Sequence, residues 1–215
     1  MNQQTIPQSS NSQFFAEVIE SSLDSWVAQS WKWDLFPIFG SIVIIESNNR
    51  KFFSIVYQIN TGSSDSVRQP FAFQKTKAEL LRDQPQIFEF LRTTFSCLAL
   101  GYEEDSEIFH MLSPEPPKIH SFIRQASPIE LISFFNNPNY LQIFFSNISK
   151  IPNLDELLLA LLRHLKQNDV LNHKNFTDFL ELYSMLNDND YKKLKLFLRR
   201  IEPVIKEINQ LHNTE

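Results

Sequence analysis

Between Gly40 and Gly62 apolar residues occupy both phases of a strand alternation on either side of the polar run Glu46–Lys51. Two β-strands joined at Asn48-Asn49 account for the pattern, because Asn tolerates the left-handed backbone of a tight hairpin. Ile42 and Ile44 point one way and Val43 and Ile45 the other; on the return strand Phe53, Ile55, Tyr57 and Ile59 oppose Phe52 and Val56. A hairpin with one wet face would alternate cleanly, so this one is expected to be covered on both sides, as in a small barrel with elements packed outside it. Shorter strand patterns run over Phe14–Glu20, Ser25–Trp31 and Thr93–Gly101, the last paired with Ile108–Leu112 around a Tyr102–Glu107 turn. Thr76-Lys77-Ala78-Glu79 has the form of a capping box and predicts a helix inserted among the strands. Pro85 opens a further turn through Leu91, and Pro114, Pro116 and Pro117 make a stiff extended connector.

Near residue 125 the period changes. Ser127-Pro128-Ile129-Glu130 combines an N-cap, Pro at the first helical position and Glu three residues after the cap. Leu157, Leu158, Leu161, Leu162 and Leu165 then fall at helical spacing, as do Phe176, Phe179, Leu180, Tyr183 and Leu186. A last stripe, Leu194, Phe197, Leu198, Ile201, Val204, Ile205, Ile208 and Leu211, runs through Pro203, which is expected to kink it. The stripes are most simply the inner faces of a small bundle. The fold class is therefore α+β: a polar tail over 1–13 expected to be disordered, an N-terminal β-barrel with a helical insertion over 14–125, and an all-helical C-terminal domain over 126–215.

Composition narrows the chemistry. The formal charge of −5 disfavours wholesale electrostatic binding to nucleic acid or anionic lipid while leaving room for a local patch. A single cysteine, Cys97, excludes an internal disulfide and a multi-cysteine metal site, and fits a reducing compartment. No apolar run reaches the ~20 residues of a membrane span, and the polar start lacks the pattern of a signal or transit peptide. The cytoplasm is the expected compartment.

Three segments carry a resemblance. Ser21–Trp31 (SSLDSWVAQSW), Pro37–Ile45 (PIFGSIVII) and Phe53–Ile59 (FSIVYQI) combine a serine-rich first turn, a Gly-Ser before an aliphatic strand and an aromatic-led return strand. In these the N-terminal half resembles the HAS-barrel, the small β-barrel at the N-terminus of ATP-synthase catalytic-head subunits and of HerA-type ATPases. Thr61–Asp65, Arg68–Pro70 and Gln84–Phe88 are also similar to stand-alone HAS-barrel proteins of cyanobacteria and plastids. The similarity spans about residues 14–123. It departs from the ATPases in one respect: no G-x-x-x-x-G-K-[ST] follows, and the second half has no Gly at all. The resemblance thus implies a barrel without its motor, working in assembly and subunit contact, in the cytoplasm or a plastid stroma.

No residues converge on a reaction, and no catalytic residue, cofactor or metal is expected. The five histidines (His110, His120, His164, His173, His212) include no pair at ligand spacing, and His164, beside Arg163 and Lys166, reads as solvent-facing. Cys97 reads as buried packing, a pairing with His110 or His120 carrying little weight. Glu103, Glu104, Asp105 and Glu107 read as a solvated acidic turn, too short for a calcium loop. Thr61–Pro70 reads as a polar loop in which Gly62 could form an anion nest with Arg68 as counter-charge. Trp26, Trp31, Trp33, Phe36 and Phe39 belong mostly to a core, except that consecutive aromatics in Trp31-Lys32-Trp33-Asp34-Leu35 are hard to bury together. Trp31, Trp33 and Leu35 are therefore the candidate partner surface, and Arg68 of the Thr61–Pro70 loop is a separate candidate contact. Lys192, Lys195 and Arg199, flanked by Lys193 and Arg200, align on one helical face that suits an acidic partner or nucleic acid, in an acidic chain without an aromatic stacking platform nearby.

The expected function is a non-enzymatic interaction module in the assembly, scaffolding or regulation of a larger complex, with protein partners. One alternative is nucleic-acid binding through Lys192–Arg200. Another is a hydrolase or nuclease using Glu79, Asp83 and Glu89 around the inserted helix, which requires a concave pocket joining at least two of them.

Overall fold

A computed structural model describes residues 14–47, 49–65 and 70–211, with the side chains of the last helix described through Val204. The polar tail over 1–13, Asn48 of the hairpin turn, Arg68, and the stripe side chains Ile205, Ile208 and Leu211 lie outside the described residues. Strands β1 (Phe14–Ser21), β2 (Ser25–Ser30), β3 (Ile42–Ser47), β4 (Arg50–Ser63), β5 (Leu91–Glu104), β6 (Glu107–Phe109) and β7 (Phe122–Gln125) are all antiparallel. Pairing runs β2-β1-β7-β3-β4-β5, and a β2–β5 ladder closes these six strands into a barrel, with β6 added outside on β5. Between β4 and β5 lie helix α1 (Lys77–Asp83) and a 3-10 turn (Pro85–Phe90); after β7 come α2 (Pro128–Phe135), α3 (Leu141–Ser146), α4 (Leu154–Gln167), α5 (His173–Leu186) and α6 (Tyr191–Leu211).

The β3–β4 hairpin has the two covered faces its sequence predicts. Its register pairs Ser47 with Arg50 and Ile42 with Ile55, and Asn49 turns the chain at φ 59°. Val43, Ile45, Phe52 and Val56 fill the barrel with Phe15, Trp26, Phe95, Cys97 and Ile123. Ile42, Ile44, Phe53 and Ile55 face outward, and with Leu98 and Leu100 form one cluster with the buried leucines of α4 and the aromatic residues of α2, α3 and α5. Ile59 departs from expectation: a register shift between Val56 and Gln58 reverses the phase, so Tyr57 packs outward and Ile59 inward. Trp26 Nε1 donates to Ser54 Oγ at 3.0 Å, whereas Ser30 Oγ is buried without a hydrogen-bond partner among the described residues.

Three strands differ from the sequence reading. β5 continues through Glu104 and turns at Asp105-Ser106, because Gly101 (φ 151°) leaves room for the β6 backbone, where a Cβ would lie 2.2 Å from the Phe109 oxygen. β7 has no counterpart in the sequence reading. With only Ile123 and Arg124 buried in four residues, it shows no alternation to detect, yet it bridges β1 and β3. β4 also extends through Ser63, so Gly62 sits in the ladder opposite Arg92 and not in an anion nest.

The helices start where their caps predict. Thr76 with Glu79, and Ser127 with Glu130, form complete capping boxes, and the α4 leucines Leu157, Leu158, Leu161, Leu162 and Leu165 are all buried. α2 lies on the barrel through a stack of Phe134 on Phe53, ring centroids 4.3 Å apart. The same apolar cluster takes in Phe179, Tyr183, Phe197 and Ile201, so it runs unbroken from barrel wall to α6.

Candidate functional site

Helices cover the outer wall of β3, β4 and β5, whereas the wall formed by β1 and β7 carries aromatic rings in contact with solvent. Trp31, which follows β2, is 44% exposed and Phe122, at the start of β7, 46%. Their rings meet edge to face at 5.3 Å, and Phe14 lies 5.8 Å from Phe122. The Trp31 amide donates to the Phe15 carbonyl at 2.9 Å, which fixes the tryptophan to the barrel. Chain closure thus brings together aromatic residues more than ninety positions apart (31 and 122).

The chain next makes a tight turn, Leu35 N–H donating to the Lys32 carbonyl at 3.1 Å. Leu35 is 52% exposed. Trp33 goes the other way: it stacks on Phe88 of the 3-10 turn at 5.6 Å, and the Lys77 ammonium sits 4.8 Å from its ring while pairing with Asp34 at 3.5 Å. The insertion therefore holds Trp33, and Trp31 and Leu35 remain open. Phe36 and Phe39, expected in a core with Trp26, are exposed instead; Trp26 alone of that set is fully interior. What holds the loop is Gly40. Its amide donates to the Val56 carbonyl at 2.8 Å, and its backbone at φ 80° lies so near α4 that a Cβ would come within 2.4 Å of the Ala160 Cβ. Beside this contact Ile38, Phe39, Ala160, Arg163, His164 and Gln167 line a cleft of about 300 Å³.

A second cleft, of about 420 Å³, opens at the tip of the β3–β4 hairpin and is lined by Glu46, Arg50, Lys51, Glu103 and Asp105 among others. Beneath it is the main buried ion network. Arg124 donates to both carboxylate oxygens of Glu130 at 2.7 and 2.8 Å and to Glu46 at 2.6 Å. Burial opposes the charge on Glu130, but the bonds from Arg124 and from the Ser127 amide and hydroxyl outweigh it and hold the carboxyl down at about 2. Lys51 joins Glu130 to Glu103, each at 3.3 Å, and Arg50 pairs with Glu104 at 2.8 Å. Glu103 and Glu104 are thus strand residues in ion pairs, not a solvated turn. Their charges are matched within the fold, which suits fixing α2 to the barrel better than catalysis.

The remaining candidates scatter. Lys192, Lys195 and Arg199 are exposed on α6, while Arg200 pairs with Glu156. The aromatic platform that the sequence reading missed is Tyr191, 70% exposed, with the Lys195 ammonium 6.0 Å from its ring. His164 is half-buried and not solvent-facing, its Nε2 enclosed without a hydrogen-bond partner, and burial lowers its pKa. Cys97 lies inside the barrel, its thiol pushed well up by burial. His110 is outside it, donating from Nε2 to the Phe134 carbonyl at 2.9 Å, and His120 pairs with Glu17 at the surface, so no cysteine–histidine pair forms. Glu79 is engaged in its capping box and Asp83 with Lys75 and Arg82. Among the described residues no group of three or more His, Cys, Asp or Glu is placed to hold a metal ion, and no helix is long and apolar enough to cross a membrane. No family model matches this chain, and no curated protein matches it.

Proposed function

We propose that this chain is a non-enzymatic protein-interaction module serving the assembly, scaffolding or regulation of a larger complex, with the aromatic wall around Trp31 and Phe122 as its contact surface. The observation that carries the reading is the asymmetry of the barrel: helices seal one side, and edge-to-face aromatics stand in solvent on the other. Tryptophan and phenylalanine in such positions release large apolar area on docking and are frequent energetic anchors of interfaces. The closed antiparallel barrel is compatible with the resemblance to HAS-barrel proteins, in whose families the barrel serves assembly. On that reading the chain works in the cytoplasm or a plastid stroma.

The test is purification of the tagged full chain from its native cells beside a Trp31→Ser/Phe122→Ser variant and an Ile129→Ser control on the exposed face of α2. A stoichiometric protein partner is expected with wild type and control and absent from the double variant, whose circular dichroism stays native. Recovery of the wild type solely as a free monomer, or a partner indifferent to both aromatic residues, would sink the reading.

Tyr191 favours a second reading, in which single-stranded nucleic acid stacks on that ring and follows Lys192, Lys195 and Arg199. It requires salt-dependent binding of an oligonucleotide that is lost in Lys192→Glu/Lys195→Glu.

A further inference from the structure

We infer that the cleft between the Ile38–Phe39 loop and α4 is a docking pocket for a partner protein segment that presents an apolar side chain with a carboxylate next to it. The inference rests on the reading of this chain as a protein-interaction module and specifies the chemistry of one partner segment.

Size sets the class of occupant. About 300 Å³ is the lower limit of small-molecule sites, which suits one large side chain and its flanking backbone. The apolar floor is built in, since the Gly40–Ala160 approach fixes Ile38 and Phe39 beside α4 while leaving Ile38 57% exposed. Polarity sets the charge. Of the six lining residues Arg163 carries the permanent charge, since burial lowers the pKa of His164. Arg163 makes no ion pair among the described residues, and its helical neighbours at i±3 and i±4 are Leu159, Ala160, Lys166 and Gln167, none acidic. A guanidinium without an ion-pair partner among the described residues, in a cleft whose other wall is Ile38 and Phe39, matches a carboxylate in bidentate geometry. The cleft reaches the last turn of α4 through His164 and Gln167, where the carbonyl end favours cations, so it is Arg163 and not the helix end that would hold the carboxylate. The His164 carbonyl is in any case already occupied by Asn168 Nδ2 at 2.8 Å.

A random-peptide phage library selected on the full chain tests the assignment. Enriched peptides are expected to share an aromatic or aliphatic residue with Asp or Glu within a few positions. Synthetic copies should bind at least about tenfold more weakly to Arg163→Glu and to Ile38→Asp, both changes at exposed side chains that leave the circular dichroism native. Changing the peptide carboxylate to Lys should restore binding to Arg163→Glu. Failure to enrich any peptide, peptides without the acidic residue, or binding indifferent to Arg163 and Ile38 would each overturn the assignment. So would self-association of the chain abolished by Arg163→Glu, which would make a second copy the occupant. A native partner lost with Trp31 and Phe122 but retained by Arg163→Glu would leave the module reading standing and remove the cleft alone.

Discussion

At the scale of single residues, Arg124 and Glu130 are the most consequential charges in the molecule. Arg124 is 7% exposed and its guanidinium is shared between a carboxylate on α2 and one on β3. Removing one partner of such a pair is worse than never having it, because the remaining charge stays desolvated. Glu130→Gln is therefore expected to destabilise by about 2–3 kcal/mol, Glu46 supplying the residual partner. The pH dependence has a definite sign. Glu130 titrates at about 2 in the fold and at 4.5 when unperturbed. Its contribution is thus complete above the unfolded value and fades as pH falls towards the folded one. That difference corresponds to about 3 kcal/mol, lost between about pH 5 and pH 2. Urea midpoints measured by tryptophan fluorescence across that range should fall more steeply for wild type than for Glu130→Gln. Parallel profiles would show that the ion pair is not what links stability to pH there.

At the scale of elements, the loop from β2 to β3 meets α4 at the close Gly40–Ala160 approach, so this is a place where one added methyl group matters. Gly40→Ala meets a backbone penalty of about 1–2 kcal/mol at φ 80° and an overlap with α4 of similar size. A total loss of about 2–4 kcal/mol is expected. In an Ala160→Gly background the loss should shrink without vanishing, since the Ala160 carbonyl carbon at 2.8 Å and the Leu161 nitrogen at 3.0 Å remain in the way. A double-mutant cycle by denaturant unfolding measures this directly, and strict additivity would place the strain elsewhere. A smaller comparison concerns the two capping boxes. Ser127→Ala should cost about 1–2 kcal/mol and Thr76→Ala less, because Thr76 caps an exposed two-turn helix while Ser127 also steers Glu130 onto Arg124. Elements with strong local chemistry were legible in the sequence: both caps, the leucine stripe of α4, and the doubly apolar hairpin. Features decided by closure were not. The phase reversal at Tyr57 needs a partner strand to define it, and β7 is too short to announce itself. The covered side of Trp33 depends on Phe88 and Lys77, which lie more than forty positions further along the chain. Phe122 looks like any other phenylalanine until β7 is placed beside β1, which is why the sequence points to Trp31 and Leu35 as surface residues but not to the ring that meets Trp31.

At the scale of the whole molecule, the apolar cluster passes through the boundary near residue 125 that the sequence suggests between barrel and helices. The outward side chains of Ile42, Ile44, Phe53, Ile55, Leu98 and Leu100 are buried by helices and by little else. A barrel made alone from 14–125 would expose this row to water, and the helices would lose the surface on which their apolar faces close. The two halves should accordingly unfold as one unit, and the chain supplies its own probes. Its three tryptophans, Trp26, Trp31 and Trp33, are all on the barrel side, whereas most of the helical circular dichroism comes from α2–α6. Fluorescence and far-ultraviolet dichroism should therefore give coincident urea transitions. Phe134→Ala removes the ring that stacks on Phe53 at 4.3 Å and is expected to lower stability by about 3–5 kcal/mol. Because that ring sits on the shared cluster, both probes should shift together and by the same amount. A shift confined to the dichroism would mean that the helices come away while the barrel stays closed, and the sealed wall would then be a second surface open to exchange with a partner.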